Sequence, residues 1–219
     1  MRDGLTAARE RIAAAAARAG RDPGEVEIVA ATKYVALEDM AALSEAGITR
    51  VGENRAQDLQ AKHAAYGDLF TWDFIGHLQS RKVPQILPIV QRIHSVGSDS
   101  ALARLERHRD LARPGLEILV EVNVAREEGK SGIDPDELPG FLERCPIAPV
   151  GLMTMPPLGG DSRRWFSALR DLAERHGLRH LSMGTTQDFE VAVEEGATIV
   201  RLGSVLFGTE TGRNIAREG

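Results

Sequence analysis

Lys33 closes the apolar run EIVAATKYV at residues 27–35, and the only other lysines are Lys62, Lys82 and Lys130. A lysine at the end of a buried strand has two uses. It can reach into water along its own apolar stem. It can instead be held out of water, which lowers the ammonium pKa and frees a nucleophilic amine for Schiff-base chemistry with an aldehyde. Taken alone, the stretch favours the solvated reading.

Two turns further along carry a second kind of chemistry. LSMGTTQDF at 181–189 and RLGSVLFG at 201–208 each follow an apolar run with glycine and small hydroxyl residues before chain that can turn into a helix. Gly184 and Gly203 allow the backbone to approach an oxyanion, and Thr185, Thr186 and Ser204 add hydroxyl donors. That is the composition of a phosphate site at a helix start. Either turn alone is equally an ordinary helix entry with its capping residues. Two on neighbouring strands favour the phosphate.

These residues need a rigid frame, and composition permits one. The chain has 219 residues, and 42% are hydrophobic, enough for a substantial core. A net charge of -5 and a pI near 5.7 argue against a nucleic-acid surface, which requires a basic patch. Cys145 is the single cysteine, so no intrachain disulfide forms, and no cysteine–histidine cluster has metal-ligand spacing. A reducing cytoplasm is the expected location. The opening residues are interrupted by arginine and glutamate, unlike a signal peptide, and Leu5, Ala8, Ile12, Ala15 and Ala19 follow helical spacing. No run of about 18 apolar residues spans a membrane.

Eight short stretches alternate with longer amphipathic ones: EIVAATK, ITRVGE, TWDFIG, VQRIHSV, LEILVEVN, APVGLMTM, RHLSMG and TIVRLGS. Between them, ALEDMAALSEAG reads as a helix closed by Gly47, and SRRWFSALRDLAERHG as one whose face carries Trp165, Leu169, Leu172 and His176. The alternation predicts an α/β protein, a single (β/α)8 TIM barrel over 1–219 with an extra N-terminal helix. An open doubly wound sheet competes, but Gly-x-Gly-x-x-Gly is missing after the first strand. MPPLGGDS after strand six reads as a loop too short to divide domains. In such a barrel the chemistry sits at the carboxyl ends of the strands, where Lys33 and both turns fall.

The chain also resembles the pyridoxal phosphate homeostasis proteins, the YggS or PROSC family. The resemblance rests on the strand-end lysine, GEN at 52–54, FIGHLQS.K at 74–82, KSGI at 130–133, GLMT at 151–154, LSMG at 181–184 and R.G...FG at 201–208. It implies a barrel like the N-terminal domain of alanine racemase, binding pyridoxal 5'-phosphate as a Schiff base on Lys33. Thr186, Gly203 and Ser204, with Ser182 and Gly184 nearby, would hold the phosphate. Arg201 would face the pyridine nitrogen and disfavour its protonation. Asn54, His77 and Met153 would line the cofactor face, although His77 reads equally as a core or capping histidine. The sequence departs from the family in lacking a proline after the lysine, and in Thr185, Thr186 and Gln187. Asp188 is left as the acid nearest the next helix start.

The resemblance implies a non-enzymatic carrier or regulator of pyridoxal phosphate, a cytoplasmic monomer that supplies apo-enzymes. The alternative is an amino-acid racemase, which needs a second base opposite the lysine. Tyr34, if the strand continues, points to the other side, Tyr66 lies in the polar end of a helix, and the racemases' second domain is missing. The carrier reading is preferred.

Overall fold

The computed structural model describes residues 1–157 and 161–207. The centre of the MPPLGGDS loop and Gly208 lie outside the described residues. All eight expected strands form and pair in parallel, closing a barrel in sequence order. They are β1 (Glu27–Ala31), β2 (Arg50–Glu53), β3 (Thr71–Phe74), β4 (Arg92–Val96), β5 (Glu117–Glu121), β6 (Gly151–Met153), β7 (His180–Thr185) and β8 (Ile199–Leu202). The (β/α)8 TIM-barrel expectation holds.

The helices α2 (Met40–Glu45), α3 (Ala56–Tyr66), α4 (Val83–Ile86), α5 (Asp99–Arg107), α6 (Leu138–Glu143), α7 (Arg163–Arg175), α8 (Phe189–Glu194) and α9 (Ser204–Phe207) follow the strands in turn. The extra N-terminal helix α1 (Arg2–Arg18) lies in the outer ring between α8 and α2. Arg11 and Arg18 pair with Glu190 and Glu194 on one side, and Arg2 donates to the Glu45 carbonyl on the other. Its buried stripe is Leu5, Ala8, Ile12, Ala15 and Ala16, with Ala16 in place of the expected Ala19, because the helix ends at Arg18. On α7 the buried residues are Phe166, Leu169, Leu172 and Ala173. Trp165 sits at the edge of that face beneath the Arg164 guanidinium, and His176 is the C-cap rather than a face residue.

Period-two alternation divides the strands into two unlike surfaces. Outward residues such as Ala30, Val51, Phe74, Ile93, Val120, Leu152, Met183 and Val200 join the helices in one continuous apolar core. The inward face carries only a small apolar cluster, Val29, Leu119, Met153 and Ile199. The rest of the barrel axis is polar. Arg92 bonds Glu27 and Glu117, Arg50 bonds Glu27 and Asp73, and His94 bonds Asp73 and Ser182. Barrels of this type usually fill the axis with Val, Ile and Leu, whereas here ion pairs and a buried histidine take much of that place.

Gly76, just after β3, shows how tightly the rim is drawn. A Cβ there would lie 2.0 Å from the Asn54 carbonyl oxygen, while the Gly76 carbonyl accepts from Ser95 Oγ at 2.5 Å. Backbone, not a flexible side chain, meets the added atom. Gly76→Ala is therefore predicted to cost about 1–3 kcal/mol, measured by denaturant unfolding of the purified protein.

Candidate functional site

A cavity of about 640 Å³ opens at the carboxyl ends of the strands, within the roughly 300–1,000 Å³ typical of small-molecule sites. Lys33, Asn54, His77, Met153, Thr186, Arg201, Gly203 and Ser204 all lie on its wall. Ser182 and Gly184 do not. Because β1 pairs with both β8 and β2, the residues that follow these strands share one sector of the rim.

Lys33 is placed differently from the strand-end picture. β1 stops at Ala31, and the chain turns at Thr32, whose carbonyl accepts from Val35 N–H at 2.9 Å. Lys33 is exposed at the cavity mouth, as the solvated reading of the stretch expects, and its Nζ rests 4.6 Å from the centre of the Tyr34 ring. Tyr34 consequently faces the same cavity, contrary to the strand-continuation expectation. The turn is pinned from behind. Lys62 Nζ donates to the Thr32 carbonyl at 2.7 Å and to Glu53 Oε1 at 2.5 Å, and Thr32 Oγ1 donates to the same carboxylate oxygen at 2.6 Å. This ion pair is buried between β2 and α3 and fixes the residue that precedes Lys33.

The turns after β7 and β8 meet through Gly203 N–H, which donates to Thr186 Oγ1 at 3.3 Å and leaves the Thr186 hydroxyl hydrogen for a ligand. Ser204 is exposed beside it. A Cβ on Gly203 would meet no protein atom closer than Ala31 O at 3.7 Å, so the missing side chain leaves space on the cavity side. Gly184 has another purpose. Its φ is +90°, and a Cβ there would come within 2.5 Å of Ala192 Cβ, so the glycine lets α8 pack onto β7. Asp188 does not cap α8 with its side chain but accepts from Thr185 N at 2.7 Å and Thr185 Oγ1 at 3.1 Å, while Thr185 stays on the cavity wall.

Arg201 is buried in the cavity wall. Its Nη1 donates to Ser182 O at 2.7 Å and Ser182 Oγ at 2.5 Å, and its Nη2 to Thr154 O at 2.9 Å and Met155 Sδ at 2.9 Å. Ser182 thus grips the guanidinium from below and is turned away from the phosphate-like turns, which corrects its expected placement. Burial pulls Arg201 down to about 10, still protonated at neutral pH. His77 is exposed on the wall rather than held in the core, and no side-chain cap forms at the helical turn that follows it.

Glu121 and Ser131 complete the wall and were not expected. Glu121 accepts from Ser131 Oγ at 2.8 Å, and burial raises its pKa against the pull of that hydrogen bond and of nearby His77 and Arg201. Alternation in LEILVEVN sets Glu117, Leu119 and Glu121 on one face, a signal available in the sequence. Among the described residues no cluster of His, Cys, Asp and Glu could hold a metal ion.

The ion pair behind Lys33 gives a direct test. Lys62→Met leaves Glu53 buried without its cation and should cost about 3–5 kcal/mol. The double variant Glu53→Gln/Lys62→Met should recover most of that loss in denaturant unfolding, because no charge then stays buried alone.

The sequence profile of the alanine racemase N-terminal domain matches residues 4–211. A pyridoxal phosphate homeostasis protein of Aquifex aeolicus is 38% identical over 213 residues, covering 91% of this chain and 93% of that protein. An unknown protein from Bifidobacterium adolescentis superposes with a TM-score of 0.85 at 35% identity, over 94% of both chains. PipY of Synechococcus elongatus, solved with PLP bound, superposes with a TM-score of 0.74 at 32% identity, over 91% of this chain and 99% of its own. By sequence and by fold, this chain belongs to the pyridoxal phosphate homeostasis protein family.

Proposed function

We propose that this chain binds pyridoxal 5'-phosphate at the carboxyl end of the barrel and serves as a non-catalytic carrier that keeps the free aldehyde low. The observation that carries the reading is that one cavity gathers Lys33, Arg201 and the turns after β7 and β8. The residues fit the group. Asn54 Oδ1 is buried on the wall without a hydrogen-bond partner, Gly203 leaves room where a side chain would stand, and the donors in the two turns are hydroxyls and amides suited to a phosphate. The bound form of PipY supports the same assignment.

In this reading Lys33 supplies the amine that joins the aldehyde, and its exposed place at the mouth suits capture and release. Thr186, Gly203 and Ser204 hold the phosphate, Arg201 faces the ring nitrogen, and Asn54, His77 and Met153 flank the ring. The cofactor supplies a reactive aldehyde and an electron-withdrawing ring. Arg201 limits the second property, since a fixed guanidinium opposes protonation of the ring nitrogen, and each pKa unit lost there corresponds to about 1.4 kcal/mol. A cytoplasmic monomer that passes the cofactor to apo-enzymes is the role we infer. Among the described residues no helix is long and apolar enough to cross a membrane.

The racemase alternative requires a base opposite Lys33. Tyr34 lies against Lys33 itself, and Tyr66 Oη is committed to the Leu37 carbonyl at 2.7 Å. Glu121, His77 and Lys130 are the other titratable wall residues that keep the alternative open to test. Two measurements separate the readings. Lys33→Ala should leave stability within about 0.5 kcal/mol, as expected for an exposed side chain, and should abolish borohydride-trapped cofactor. Loaded wild-type protein should exchange the α-hydrogen of alanine with solvent deuterium only near background. Rapid exchange with D-alanine formation would establish the racemase instead.

A further inference from the structure

The polar interior of the barrel leads to the cavity, and its hydrogen bonds have a direction that donor counting fixes. A guanidinium can only donate. Ser182 Oγ accepts from Arg201 Nη1 at 2.5 Å, so its own hydrogen must go elsewhere, and His94 Nδ1 stands 2.8 Å away. The Asp73 carboxylate can only accept, so the proton of the neutral His94 ring sits on Nε2, 3.1 Å from Asp73 Oδ2, and Nδ1 is the acceptor for the Ser182 hydroxyl. Asp73 also accepts from Arg50 Nη1 at 2.8 Å, with Arg92 3.8 Å away. The order runs one way, from Arg201 through Ser182 and His94 to Asp73.

An imidazolium would break this order. Both ring nitrogens would donate, Ser182 Oγ would receive two hydrogens, and its own would lose His94 as acceptor. Burial also disfavours the charged ring, as do Arg201 and Arg92, against the attraction of Asp73. No water-filled alternative is needed, because His94 is fully buried and both ring nitrogens are engaged.

We propose that His94 and Ser182 are positioning residues that hold the Arg201 guanidinium in the cavity wall, so that bound cofactor meets a cation of fixed place and orientation. Neither residue touches the cavity; both act through Arg201. The proposal rests on the reading that Arg201 faces the ring nitrogen of pyridoxal phosphate. It gives the inward polar residues of β4 and β7 a task, and it ties the cofactor to the ion-pair cluster at the closed end.

The test uses the full chain loaded with pyridoxal phosphate, with two readouts, the dissociation constant and the pH midpoint of the visible absorption band. Ser182→Ala and His94→Phe should each weaken binding by about threefold to tenfold, the scale of one lost hydrogen bond, and each should move the midpoint. The double variant should match either single one, because both cut the same chain. His94→Asn places an amide oxygen near the Nδ1 position and should restore most of both values. If His94→Phe does not fold, Ser182→Ala and His94→Asn carry the comparison. Unchanged readouts in Ser182→Ala and His94→Phe, with Arg201→Lys shifting both, would overturn the positioning role alone. Additive losses in the double variant would also overturn it. Unchanged readouts in Arg201→Lys would overturn the reading of Arg201 itself, and the proposal with it.

Discussion

A cation buried inside a barrel is the constraint around which this structure is arranged. Among the described residues no carboxylate hydrogen-bonds Arg201, whose partners are two carbonyls, one hydroxyl and one thioether. Such a group is costly to desolvate unless its donors are satisfied. The interior meets that cost by orienting Ser182 and Thr154 toward it and by stacking His94 and Asp73 behind Ser182. An apolar axis would have left the guanidinium its two backbone carbonyls and the thioether but removed the Ser182 hydroxyl and the residues that orient it.

The same closed sheet solves a second problem at the rim. Lys33 is useful only if its backbone is held while its amine moves, and the structure separates the two. The Thr32 carbonyl and hydroxyl are fixed by the buried Lys62–Glu53 pair, whereas the Lys33 side chain is exposed. Parallel pairing of β1 with β8 then sets this amine beside the turn carrying Gly203 and Ser204. Rigidity therefore comes from outside the barrel wall, through α3, and from within it, through the axial network.

The eight strands were legible because period-two apolar runs alternated with helical ones, and the mouth residues because they were chemically out of place at strand ends. Strand bounds were less so. Nothing in EIVAATKYV says that the sheet hydrogen bonds end at Ala31, since Thr32, Lys33 and Tyr34 all suit a strand, and the error turned Tyr34 to the wrong side. Ser182 and Gly184 were misplaced for a related reason. Both stand in a glycine- and hydroxyl-rich motif, yet one faces the axis and the other meets α8, a distinction set by tertiary packing. Glu121 and His94 were readable from alternation on β5 and β4, but only a closed barrel shows that the inward face leads to the cavity.

The proposed function requires Arg201 to meet an unprotonated pyridine nitrogen. Pyridoxal phosphate labelled with ¹⁵N in the ring and bound to the full chain reports that nitrogen directly by magnetic resonance. At neutral pH the account predicts the signal of a neutral, hydrogen-bonded pyridine. A pyridinium signal at the same pH would contradict it.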